Sequence, residues 1–102
     1  MIIRIFRAGI APDRAAEFEN FLRTTALPLV REQDGCLSVH GGVPLEGTDT
    51  TEFCVVMVWR DEAALRAFAG DDWQQPHILP EEEGLVLTRD LHHYRSTDSV
   101  LL

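Results

Sequence analysis

The sequence predicts one α+β domain of ferredoxin-like order, β–α–β–β–α–β, in which a four-stranded antiparallel sheet carries both helices on one face. Three observations predict it. Residues 53–60 are apolar on both alternations, with Phe53, Val55, Met57 and Trp59 on one side and Cys54, Val56 and Val58 on the other. A strand with one wet face would alternate apolar and polar, so this one is central and covered twice. Two stretches of helix spacing, each closed by a glycine, separate four strand-like runs. Short connections and right-handed crossovers then give this topology. Helices on one side cover only one sheet face. The other would expose more than the few hundred Å² of apolar patch that monomers tolerate, which predicts a face-to-face homodimer.

Residues 2–10 make the first strand, with both faces apolar and each interrupted by an arginine, Arg4 or Arg7. Pro12 suits a first helical turn, and Ala15, Phe18, Leu22 and Leu29 follow helix spacing. Pro28 lacks a backbone donor, so a kink or break is expected at residues 25–27. Gly35 ends that helix. Residues 36–43 form the second strand, and a polar turn near Gly47 leads into the third. That turn would place Cys36 opposite about residue 58 and Cys54 near residue 40. Asp61 is an N-cap, Glu62 favours the positive end of the helix dipole, and Ala64, Leu65, Phe68 and Ala69 make the apolar stripe stopped by Gly70. Residues 71–79 read as a helical turn carrying Trp73 and a loop carrying His77. Residues 80–84 read as a capped turn whose three glutamates form a solvated face. The last strand covers residues 85–95, and residues 96–102 form a flexible tail of the single domain 1–102.

Composition excludes several function classes. The net charge is −8, with nine arginines and no lysine, which opposes binding to a phosphate backbone, so no nucleic-acid partner is expected. No apolar run reaches the roughly 18–20 residues of a membrane span, and the strand pattern begins at once, without a signal peptide. A cytoplasmic protein with no membrane partner is expected. Cys36 and Cys54 form no CxxC motif and read as reduced thiols. No phosphate loop, Ser-His-Asp spacing or metal signature is present, so no cofactor and no metal are expected.

The opening MIIRIFRAGIAPDRAAEFENFL, the segment QDGCLSVH, the run FCVVMVWRDEAALRAFAGDDW and the closing HHYR strand together resemble the antibiotic biosynthesis monooxygenase (ABM) family of dimeric α/β barrel proteins. The resemblance implies that the dimer closes an α/β barrel. It also implies oxygenation of a small aromatic or quinol-like compound without metal or flavin, the substrate supplying the electrons. In polyketide-oxidising members a tryptophan ends the central strand, matching Trp59; their asparagine falls on Val55 and their helix tyrosine on Leu65. A second branch degrades haem, and its axial histidine corresponds to His77. That branch's helix tryptophan falls on Phe68, and its first-strand asparagine on Arg7 or Ala8.

These comparisons, with the strand pattern, nominate Trp59 and His77 as catalytic residues. Phe68, Trp73, His40, Arg7 and His92 are nominated for substrate binding. His92 and His93 are adjacent on a strand and point to opposite faces, so they cannot chelate one metal together. A buried Arg4 or Arg7 requires a carboxylate, from Glu52, Asp90 or residues 81–83, or else a bound anion. The leading expectation is a cofactor-independent monooxygenase. The alternatives are a non-catalytic barrel that binds a small molecule or serves in stress, and a haem-binding relative.

Overall fold

Backbone hydrogen bonds join four strands in the order β2-β3-β1-β4, each neighbouring pair antiparallel. The computed structural model describes residues 1–76 and 78–100. The strands are β1 (Ile2–Ile10), β2 (Cys36–Gly42), β3 (Glu52–Trp59) and β4 (Val86–Arg95). Between β1 and β2 run α1 (Ala15–Phe21), a π-helical turn (Leu22–Ala26) and α2 (Leu27–Arg31); α3 (Glu62–Ala69) follows β3. The predicted α+β fold is therefore the observed one.

Strand parity decides what meets the helices. Ile2, Arg4, Ala8 and Ile10 of β1 and Phe53, Val55, Met57 and Trp59 of β3 are buried. Register places Ile2 opposite Trp59, Arg4 opposite Met57, Phe6 opposite Val55 and Ala8 opposite Phe53, so these side chains share one face. Phe18, Phe21, Leu22 and Val30 close over it from the first helical segment, and Ala64, Leu65 and Ala69 from α3. On the opposite face, Ile3, Ile5, Cys54, Val56 and Val58 are only half-buried. In β1 and β3 the apolar aromatic and long side chains Phe6, Phe53, Met57 and Trp59 all lie under the helices, together with Ile2, Ile10 and Val55.

The helix termini follow local chemistry. Asp61 Oδ1 accepts the Ala64 N–H at 2.8 Å, and that bond holds the Asp61 carboxyl below the usual carboxylate range. Gly35 has φ +84°, and a Cβ there would stand 2.4 Å from the Ala64 Cβ, so both conformation and space demand glycine. At Gly41 a Cβ would lie 3.0 Å from Leu27 Cδ1, so the bare backbone lets β2 approach α2. Cys36 pairs with Trp59 and Cys54 with Gly42, within two residues of the expected register, and both thiols are free.

Two expectations need correction. The interruption expected at residues 25–27 as a kink or break is a π-helical turn, which begins earlier, at Leu22. Pro28 cannot donate to the carbonyl four residues back, and the Leu27 N–H instead reaches the Leu22 carbonyl. The acidic run is not uniformly solvated either. Glu82 is 4% exposed, and its Oε2 accepts the Leu79 N–H at 2.9 Å across the 3-10 turn Pro80–Glu82. A glutamate at the third position of such a turn folds back on the turn's first amide, and here that carries it inside.

Candidate functional site

The π-helical turn, α1 and α2 arch over the helix-facing side of β1 and β3 and leave a cavity of about 90 Å³. Its floor is Phe6, Val55 and Met57. Its roof is Phe18, Phe21, Leu22, Ala26, Leu27 and Val30, and Phe68 and Leu79 close the sides. Leu29 is 42% exposed and stands at the rim. The widened turn contributes Leu22 and Ala26 to that roof, and wide turns of this kind concentrate at functional sites.

Among the described residues two charged ones line it, Arg4 and Glu82. Arg4 is 2% exposed. Its Nη1 donates to the Trp73 carbonyl at 2.6 Å and lies 2.8 Å from His93 Nε2. Its Nε has no partner. Among the described residues no carboxylate lies within ion-pair distance of it. Burying an unpaired cation costs several kcal/mol, and burial pushes the Arg4 pKa down to about 10. It is still cationic at pH 7. Burial, the Arg4 charge and His92 all push His93 below its ordinary value, so at neutral pH it is an uncharged imidazole. Its Nε2 can then accept from Arg4, with the ring proton on Nδ1. Glu82 is better compensated: its Oε1 stands 3.5 Å from Arg89 Nη2, although without hydrogen-bond geometry.

The nominated residues are distributed as follows. Phe68 lies on the cavity wall. Trp59, fully buried, stands behind it with ring centroids 5.0 Å apart and planes 24° apart. Trp73 contributes its carbonyl to Arg4, while its ring meets His93 edge-on at 4.8 Å and carries the Arg66 guanidinium at 5.3 Å. Arg7, His40 and His92 lie on the opposite sheet face, opposite Asp90, Val56 and Ile5 in register. There Arg7 binds Asp90 and approaches Glu52 at 3.9 Å, as the sequence led one to expect. Asp90 also meets His92 Nε2 at 2.8 Å. His77 lies outside the described residues. Among the described residues no three His, Cys, Asp or Glu side chains are grouped to hold a metal ion.

Arg4 and Glu82 are absent from the nominated set. Arg4 shares strand parity with Phe6, and the large side chains of that parity were the signal that it faces the helices. For Glu82 the signal was its place three residues after Leu79, before a glycine stop.

What the arrangement can do follows from its parts. Apolar walls favour a flat aromatic ring, Arg4 offers N–H donors to a negative oxygen, and Glu82 offers a carboxylate oxygen free of hydrogen bonds. The volume decides the ligand's size. An apolar cavity of roughly 150 Å³ accepts benzene, so one of about 90 Å³ encloses part of a single ring, the rest standing at the open rim, and takes no macrocycle.

A family model described as antibiotic biosynthesis monooxygenase matches residues 1–75. No curated protein matches the sequence at a significant level. Among solved structures, the chain is similar to a provisionally named antibiotic biosynthesis monooxygenase from Deinococcus radiodurans, with TM-score 0.76 and 18% identity over 100% of this chain and 98% of that one. It is similar to MhuD, a haem degrader from Mycobacterium tuberculosis, with TM-score 0.73 and 17% identity over 98% and 99%. A mutant of SnoaB, a cofactor-independent oxygenase from Streptomyces nogalater, gives TM-score 0.71 and 20% identity over 97% and 95%. At these identities the likenesses establish the fold. Among the described residues no helix is long and apolar enough to cross a membrane.

Proposed function

The chain belongs to the antibiotic biosynthesis monooxygenase family, and from that premise we propose that its cavity is the substrate site of a cofactor-independent monooxygenase acting on a single-ring, quinol-like compound. The observation that carries this reading is a cavity of apolar wall interrupted only by a buried cation and a buried carboxylate. A phenol and O2 give a quinone and water: one oxygen atom enters the ring, the other leaves as water, and the ring supplies all four electrons. The protein's share is to take a phenolic proton, stabilise the resulting oxyanion and keep water from the reacting carbon. Glu82 Oε1 accepts the proton, and the buried charge of Arg4 favours an anionic ring in the cavity. Trp59 braces Phe68 against the ring. SnoaB's description as a cofactor-independent oxygenase supports the reading.

Oxygen consumption with a panel of hydroquinones tests it. Uptake above the no-enzyme rate is expected. Glu82→Gln, which keeps an acceptor for the Leu79 amide, is expected to lower it roughly 100-fold, the usual scale for losing a general base. No uptake with any hydroquinone would end the enzyme claim. A second reading, a barrel that binds its ligand unchanged, draws support from Val55 and Leu65, which stand where oxygenating relatives carry polar residues. Recovery of bound hydroquinone intact in air would favour it. The haem reading draws less support, because a porphyrin would require the roof to open.

A homodimer through the open sheet face is part of the same proposal. Ile3, Ile5, Val56 and Val58 form a half-buried apolar stripe there, beside the 52%-exposed Tyr94. Sedimentation at micromolar concentration is expected to give a dimer, and Ile5→Arg a monomer of unchanged helix content. A wild-type monomer would contradict it.

A further inference from the structure

We infer that the cavity selects a ring bearing a carboxylate, and that Arg4 is the specificity-determining residue. This rests on reading the cavity as the substrate site and goes further by fixing the charge and acidic group of its occupant. The first ground is a census of cations. Arg7, Arg14, Arg23, Arg60, Arg66 and Arg89 each meet an aspartate or glutamate within 4.0 Å. Arg31 and Arg95 are exposed and need none. Arg4 alone is buried without a carboxylate among the described residues, in a chain of net charge −8 where acids are abundant. Glu82, the other charge on the wall, gives Oε2 to the Leu79 amide and faces Arg89 with Oε1, so its charge is balanced without Arg4.

The second ground is geometric. The Trp73 carbonyl and His93 occupy Nη1 and pin the guanidinium in place. Among the described residues, no hydrogen bond involves Nε or Nη2, which form one edge of the fork. That edge presents two parallel N–H groups, the pattern that a carboxylate accepts with both oxygens and a phenolate oxygen cannot fill. Phe6, Met57 and Phe68 then supply the surfaces for the ring. The −8 net charge does not prevent entry, since exposed charges more than about 8 Å away are largely screened at physiological salt.

Calorimetric titration under anaerobic conditions tests the inference, with benzoate, its neutral isostere benzamide, and 4-nitrophenolate at pH 8 as probes. Benzoate is expected to bind wild type at least about tenfold more tightly than benzamide, the scale of a hydrogen bond to a charged group. Arg4→Met is expected to abolish that ratio, while Arg7→Met, on the other sheet face, keeps it. The inference is overturned if benzamide binds as well as benzoate, if the ratio survives in Arg4→Met, or if it disappears in Arg7→Met. A 4-nitrophenolate affinity above that of benzoate would overturn the carboxylate assignment. Without oxygen no turnover is read, so a failed oxygenase assay leaves this result standing. Turnover of neutral hydroquinones by a protein indifferent to benzoate would sink only the carboxylate.

Discussion

Replacing Trp59 with alanine is expected to cost about 3–5 kcal/mol, the range for deleting a fully buried aromatic side chain. Domains of this size have only roughly 5–15 kcal/mol in total, so the variant should be marginal at room temperature and unfolded at physiological temperature. Three features converge on this residue. Trp59 is 0% exposed, ends the central strand, and stacks on Phe68 at 5.0 Å. Among the described residues its indole N–H has no partner, so the loss is one of packing, undiluted by a broken hydrogen bond. Trp59→Phe, which keeps most of the area, should cost far less. Urea unfolding followed by circular dichroism measures both. A shift below about 1 kcal/mol for the alanine variant would contradict the packing assigned to this ring.

Arg4→Met is expected to move stability the other way. Replacing a buried ion pair by apolar side chains often leaves stability unchanged or raises it by about 1–4 kcal/mol, and a buried charge without a counter-ion carries the same desolvation cost with no attraction to offset it. Arg4 has no carboxylate whose charge would be stranded, and the Trp73 carbonyl and the neutral His93 are the partners it gives up. A higher midpoint in urea is the expected result. A lower one would mean that the two bonds to Nη1 outweigh desolvation and that Arg4 has a structural duty. A higher midpoint would show that the charge at the cavity wall is carried at a cost in stability, as groups that serve binding often are.

The fold was legible because its signals are local and redundant. Residues 53–59 announced a doubly covered strand, Asp61 an N-cap and Gly35 a stop, and each has the geometry its chemistry requires. The site was harder to read because it depends on which sheet face the helices choose. With both parities of β1 and β3 apolar, hydropathy alone did not separate Arg4 from Arg7, or His93 from His92. Side-chain size did: Phe6, Phe53, Met57 and Trp59 share the parity that faces the helices, and Ile3, Ile5, Val56 and Val58 the other. Glu82 escaped because a run of three acids reads as solvated, and only the fold of its turn turns the middle one inward. His77 lies outside the described residues.

The π-helical turn has a consequence for how such a domain can change. A turn bonded five residues back holds one residue more than an α-helical turn. Deleting a single residue from positions 22–26 would draw the segment toward α-helical geometry, with Pro28 still lacking a donor, and would lower the roof over the sheet. A one-codon insertion or deletion in that turn would thus change the height of the cavity. The four strands, and any surface they share with a second copy, would be untouched.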